Sequence, residues 1–255
     1  MKLASWNVNS LSVRMPRLLD WLRYHQPDIV GLQETKLEDA RFPAMDIVAA
    51  GYNPIFSGQR TYNGVAILSR KPASDVAADM PEFTDDHKRV IAATIGDVRF
   101  ACLYVPNGQS VTSEKYQYKL RWLAAATSYL RHELSRHPRL AVVGDFNIAP
   151  EDRDVYAPDL WREQVLCTTA ERAAFRDWLS LGFKDAFRLF DQPEKSFSWW
   201  DYRMLAFPKN NGLRIDHILL SPALAKACTA CRIDREARKG EKPSDHAPVV
   251  AEIAA

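Results

Sequence analysis

The stretch VIAATIGDVRFACLYV, residues 90–105, reads as two strands, 90–95 and 98–105, on either side of Gly96-Asp97. Glycine and aspartate tolerate the left-handed backbone of a two-residue turn, so the strands are expected to pair antiparallel as a hairpin. Downstream, Tyr116, Leu120, Leu123, Thr127, Leu130 and Leu134 recur at three- and four-residue spacing, which predicts a long amphipathic helix over 114–136. RLAVVG (139–144) follows as a strand. Thr168 and Glu171 form a capping-box pair for another helix that Gly182 can end, and LRIDHILL (213–220) and APVVAEI (247–253) read as buried strands. Upstream, KLASWNV (2–8) is strand-like, Ser12 is placed to cap a helix with Pro16 in its first turn and Pro27 beyond its end, and DIVGLQ (28–33) and NGVAILS (63–69) are short apolar runs. Strands grouped in hairpins with helices between the groups favour two packed sheets over one doubly wound parallel sheet. The expected class is therefore an α/β sandwich. No internal repeat or low-complexity linker divides the chain, so one domain over 1–255 is expected.

Composition sets the outer limits. The 255 residues are 47% hydrophobic and 26% charged, enough to build a core without disulfides or structural metal. Cys102, Cys167, Cys228 and Cys231 are too few and too uneven for a disulfide framework. The single CxxC at Cys228 and Cys231 lacks the second pair that zinc would need, so it reads as packing. No apolar run approaches the roughly eighteen residues of a membrane span, and Met1-Lys2 leads straight into a strand; a cytoplasmic protein without membrane contact is expected. Lys plus Arg number 34 against 32 Asp plus Glu, a net charge of +2 that permits a polyanionic partner without requiring one.

Polar residues fit for metal and phosphate chemistry stand at the ends of the apolar runs. Asn7 and Asn9 follow the first strand, Glu34 the second, Asp145 and Asn147 the strand RLAVVG; Asp216 lies within LRIDHILL, and Asp245-His246 precede the last strand. Any one of these alone reads as a turn former or cap. Asp145 and Asn147, two residues apart on an extended chain, point to one side. Glu34 closing an apolar strand needs a compensating cation, and magnesium suits a sparse oxygen site because it keeps most of its waters. His246 can carry a proton beside a phosphate, with Asp216 fixing its tautomer. His25, His87, His132, His137 and His217 have no partner motif and read as surface or structural residues.

Six motifs, WNVN (6–9), LQETK (32–36), Tyr104 with Pro106-Asn107-Gly108, GDFN (144–147), LRID (213–216) and PSDHAP (243–248), together resemble the exonuclease III family of DNA repair nucleases, in order and over essentially the whole chain. The resemblance implies the deoxyribonuclease-I-like four-layer α/β sandwich, with two mixed, largely antiparallel sheets flanked by helices. It also implies magnesium, with manganese as a substitute, and a monomer acting on double-stranded DNA that has abasic sites or damaged or recessed 3′ ends. Position by position, it implies Glu34 as principal metal ligand, with Asn7, Asn9 and Asp245 nearby, and Asp145 as activator of the attacking water. Asn147 would position the scissile phosphate, His246 held by Asp216 would bind it, and Tyr104 would donate a hydrogen bond or proton; Asn107 would belong to the substrate site.

The aromatic run FSWWDY (197–202) precedes LRID, and the resemblance places Trp199, Leu213 and Ile215 around a flipped abasic sugar. Leu166 stands where relatives of this kind often carry a small residue. Its side chain would narrow that pocket and favour 3′-end processing over internal abasic incision, or else it packs into the core beneath the loop. Lys36, Lys115, Lys119, Arg203 and Lys209 are candidates for the DNA backbone, each also explicable as a solvated charge. A phosphoesterase acting on inositol phosphates or sphingomyelin would keep the phosphate residues but would not account for the WWDY segment. A DNA-binding protein with a dead site would lack one of these residues, and none is missing.

Overall fold

The structure, a computed structural model, describes residues 1–254. Its first sheet contains β1 (Lys2–Asn7), β2 (Ile29–Gln33), β3 (Asn53–Ser57), β4 (Val65–Ser69), β11 (Cys228–Ile233) and β12 (Val249–Ile253), in the order β11-β12-β1-β2-β4-β3. The second contains β5 (Ser74–Ala78), β6 (Val90–Ile95), β7 (Val98–Tyr104), β8 (Leu140–Asp145), β9 (Lys184–Asp185) and β10 (Asp216–Leu220), in the order β5-β6-β7-β8-β10-β9. The helices are α1 (Leu11–His25), α2 (Ala44–Ala49), α3 (Glu114–Arg136), α4 (Pro158–Trp161), α5 (Thr169–Ser180), α6 (Ala206–Lys209) and α7 (Pro222–Ala227). None is long and apolar enough to cross a membrane.

Both sheets share one plan. The central pair of each is parallel, β1 with β2 and β7 with β8, and the remaining ladders are antiparallel. A parallel pair needs a crossover, supplied by α1 in one sheet and α3 in the other. Each parallel pair brings two C-terminal strand ends together, and the contact of Asn7 with Asp145 puts both pairs at one edge of the sandwich, where Glu34 and Tyr104 also stand.

Side chains alternate as a period of two demands. Leu3, Ile29, Phe100, Cys102, Ala141 and Val143 fill the space between the sheets. Ala4, Trp6, Val30 and Leu32 face outward against Leu18, Trp21 and Leu22 of α1, while Ala101, Leu103 and Val142 face Trp122, Leu123 and Ala126 of α3 and Trp178 of α5. These are the four expected layers. Asn7, Tyr104 and Asp145 continue the inward phase into the mouth of the gap. Gly31 marks a close approach of the sheets, since a Cβ there would lie 2.7 Å from Val143 Cγ2 and 3.0 Å from Cys102 Sγ. Gly144 is equally constrained, because a Cβ would lie 1.8 Å from the Leu103 carbonyl oxygen.

The 96–97 hairpin, α3 and the Thr168–Glu171 capping box are as expected. Helix α1 differs: it begins at Leu11, and Pro16 lies inside it. Its first donors are met by tertiary pairing, with Ser10 N–H to Glu34 O (2.8 Å) and Leu11 N–H to Thr35 O (3.0 Å), not by a Ser12 cap. The strand expected over 213–220 is shorter, beginning at Asp216, because Leu213 leaves the sheet to bridge Val155 and Trp199. The edge strands β3, β5, β9 and β11 lie outside the strands that the sequence pattern predicts; Cys228 and Cys231 lie on β11 as free thiols.

Candidate active site

Asn7 closes β1 and joins the two sheets. Its amide nitrogen donates to Glu34 Oε1 and to Asp145 Oδ2, each at 2.9 Å, while its carbonyl accepts the Asn9 N–H at 2.9 Å. Asn7 thus orders two carboxylates with both amide hydrogens. Glu34 holds a left-handed backbone, φ 52°, which turns its side chain back over the strand end. Lys36 Nζ stands 2.9 Å from Glu34 Oε2 and donates to Asn9 Oδ1 at 2.6 Å.

Asp145 ends β8 and is 1% exposed. Its Oδ1 accepts the Asn147 N–H at 2.9 Å, and the Asn147 amide donates to Asp145 Oδ2 at 3.2 Å and Val105 O at 3.0 Å. Asn147 Oδ1 accepts from the Asn107 side-chain amide at 3.0 Å, leaving exposed Asn107 a second amide hydrogen to offer. Opposite, His246 Nδ1 lies 2.9 Å from Asp216 Oδ2 and Nε2 lies 3.7 Å from Asp145 Oδ2. Ser198 Oγ donates to Asp216 Oδ2 at 2.6 Å and accepts from the Ile215 and Asp216 N–H groups. Ser244 Oγ donates to Asn7 O at 2.7 Å and accepts the His246 N–H at 3.2 Å.

Burial governs the protonation states. It pushes the Asp145 carboxyl upward, with Asp216 and Glu34 adding to the rise and His246 opposing it. Burial alone would lower His246, but Asp216 and Asp145 outweigh it and hold the imidazole protonated well above its usual range. Burial, with Glu34 and Asp145, keeps the Tyr104 phenol protonated, and Arg89 packs 4.8 Å from its ring centroid. The site therefore presents a carboxylate moved toward neutrality, a cationic imidazole and a neutral phenol.

Ligand atoms of Glu34, Asp145 and His246 all lie within 4.8 Å of one another. The two carboxylates, preset by Asn7, match the hard oxygen donors that magnesium prefers. His246, held protonated, has no lone pair to give a metal and faces the same space as a cation. Asp245 stands apart from this group, its carboxylate accepting from Asn9 at 2.9 Å and from Trp199 Nε1 at 3.0 Å.

Leu213, Ile215 and Leu166 are buried in one cluster with Ala149, Val155 and Cys167, and half-buried Trp199 packs on it. Phe197 and Trp200, by contrast, are core residues, whereas Tyr202 is exposed. Of the basic candidates, Lys115, Arg203 and Lys209 are exposed. Lys119 is not available to DNA: it is fully buried on α3, paired with Glu171. Buried His217 is structural, its Nε2 meeting the Ile148 carbonyl at 2.9 Å and its Nδ1 the Arg214 guanidinium at 3.1 Å; burial and Arg214 press its pKa down to about 4. The roles of Ser198 and Ser244, although both lie inside quoted motifs, and the pairing of Lys119 with Glu171 are not signalled by the sequence.

Comparison with known proteins agrees with this geometry. Residues 4–246 match the model of the endonuclease/exonuclease/phosphatase family. The chain is 36% identical to the exodeoxyribonuclease III of Haemophilus influenzae, over 99% of this chain and 100% of that one. It superimposes on a Neisseria 3′ phosphatase bound to product DNA hairpin with a TM-score of 0.98 and 46% identity, covering 100% of both chains. An AP endonuclease from Archaeoglobus fulgidus gives a TM-score of 0.96 and 39% identity, again over 100% of both. With two six-stranded sheets flanked by helices, and the motif residues gathered at one edge between them, the chain belongs to the endonuclease/exonuclease/phosphatase family, in its exodeoxyribonuclease III branch of DNA repair nucleases.

Proposed function

We propose that this chain is a magnesium-dependent hydrolase that processes 3′ ends of double-stranded DNA, removing a terminal phosphate or nucleotide to leave a 3′-hydroxyl, with internal abasic incision disfavoured. One observation carries the preference: Leu166 is packed against Trp199, Leu213 and Ile215, the residues expected to line a sugar pocket. A branched side chain there competes with a sugar flipped from between two flanking nucleotides, whereas a terminal phosphate needs no such pocket. The Neisseria relative described as a 3′ phosphatase supports the reading.

Glu34 would hold the metal, with Asn7 fixing its orientation beside Asp145. The bound ion supplies Lewis-acid stabilisation of charge on the phosphate oxygens. Asp145 takes the proton of the attacking water, a task suited to a carboxylate moved toward neutrality. Asn147 and Asn107 position the phosphate beside it. The His246 imidazolium, oriented by Asp216, offsets charge on the phosphate, and the neutral Tyr104 hydroxyl donates to it and would supply the proton that the departing 3′ oxygen takes up as its bond to phosphorus breaks.

The test is a parallel assay with magnesium on a 3′-phosphorylated nick, a recessed 3′ end and an internal abasic duplex. The first two should be processed faster than the third, and Leu166→Gly should raise abasic incision relative to phosphate removal. Glycine also relieves the left-handed backbone of Leu166, φ 80°, so the variant tests sterics with part of the packing loss offset. Equal rates on all three substrates in the wild type overturn the preference; loss of every activity together with melting temperature assigns Leu166 to packing alone.

A further inference from the structure

Lys119 Nζ and Glu171 Oε1 lie 2.5 Å apart, and neither side chain is exposed. Nothing in the chemistry above uses this pair. Burial presses the Lys119 pKa downward, only partly offset by Glu171. Desolvating two charges gives little net stability, so what the pair holds in place matters more than its own attraction.

It holds three loops that no strand ladder connects. Lys119 Nζ donates to the carbonyls of Asn147 at 2.7 Å and Asn107 at 3.1 Å. Glu171 Oε1 accepts the Leu166 N–H at 3.0 Å, and Oε2 accepts the Thr168 N–H at 2.9 Å and hydroxyl at 2.8 Å. Leu166 carries a left-handed backbone, φ 80°, which a leucine keeps only when its surroundings impose it, while Asn147, φ 49°, adopts one that asparagine tolerates. The ammonium grips one of these segments and the carboxylate grips the other.

We propose that Lys119 and Glu171 are positioning residues that set the spacing between the phosphate side of the site, Asn107 and Asn147, and the pocket wall at Leu166. The inference rests on the assignment of Asn147 to the phosphate. Neither residue of the pair touches DNA; the pair acts through the backbone of those that do. Because misplacement by about 1 Å costs on the order of 10²-fold in rate, the pair controls turnover while leaving ground-state binding of DNA largely to other groups.

The experiment measures melting temperature, kcat and KM on the 3′-phosphorylated nick for Lys119→Met, Glu171→Gln, the double variant, Lys119→Arg and Asn147→Ala. Each neutralising single change strands a buried charge and should lower the melting temperature by on the order of 10 °C. The double variant strands none and should regain most of that loss. Its kcat should nevertheless remain down by on the order of 10²-fold with KM little changed, since nothing holds the two carbonyls. Lys119→Arg, which keeps charge and donors, should retain more kcat than Lys119→Met when both are assayed well below their melting temperatures. Recovery of wild-type kcat in the double variant, or equal kcat for the Arg and Met variants, overturns the inference. If Asn147→Ala keeps wild-type kcat, the assignment of Asn147 falls and takes the inference with it. If Asn147→Ala is crippled while the double variant is fully active, the inference alone falls.

Discussion

Asp216 and His246 meet across the two sheets, Oδ2 to Nδ1 at 2.9 Å, although Asp216 opens β10 in the second sheet and His246 precedes β12 in the first. The carboxylate both aims the ring and keeps it charged, so removing either should leave the other without its function. Asp216→Ala and His246→Ala are each expected to lower kcat by roughly 10²- to 10⁴-fold, with the double variant little worse than either. A double-mutant cycle in which the two effects multiply would show that the residues act separately.

Glu34 and the metal stand together. Glu34→Ala should abolish cleavage of DNA at millimolar magnesium, and EDTA should do the same to the wild type, because charge on the phosphate oxygens then goes unstabilised. Restoration by added magnesium is expected for the wild type only. Full cleavage in EDTA would remove the metal from the account.

Asp145→Asn keeps the shape of the side chain, but it replaces one of two accepting oxygens with a donor that faces Asn7 or Asn147, and it cannot take a proton. Turnover should fall by about 10³-fold or more while DNA affinity stays close to that of the wild type. Parallel losses in affinity and turnover would point to an organising role.

In EDTA, stability should depend on pH through His246. Its folded-state pKa is raised to about 10 from 6.5, so the folded protein binds the proton more tightly than the unfolded chain does. The resulting stabilisation is fully present below about pH 6.5 and is lost as pH rises toward 10. Between pH 7 and 10 the melting temperature of the wild type should fall by several degrees more than that of His246→Gln. Equal slopes in the two proteins would contradict the assigned protonation state.

The sandwich was legible because its central strands are apolar, buried on both faces and end abruptly in polar residues. Their phase alone brings Asn7, Tyr104 and Asp145 to the mouth of the gap. What escaped has physical reasons: β5 is largely exposed, β3 carries Pro54, and edge strands of this kind lack a two-sided hydrophobic pattern. On α3 the buried stripe runs through Lys119 and Glu133, which hydrophobic spacing assigns to solvent; each is buried because it has an opposite charge, Glu171 or Arg99, from another element. Ser198 lies inside the FSWWDY run, but its bond to Asp216 depends on a loop fold that local sequence does not specify.

The absent side chain at Gly31 reaches further than the core it sits in. Glu34 belongs to one sheet and Asp145 to the other, so the width of the gap between their carboxylates is a property of how closely β2 rests on β7 and β8. That width is set upstream, where even a single methyl group would collide with Val143 and Cys102. The calibration of the catalytic gap is thus written in residues that never meet DNA. Methylene-scale changes at positions 31, 102 and 143, which a search for active-site variants would pass over as interior repacking, are expected to change the spacing of Glu34 and Asp145.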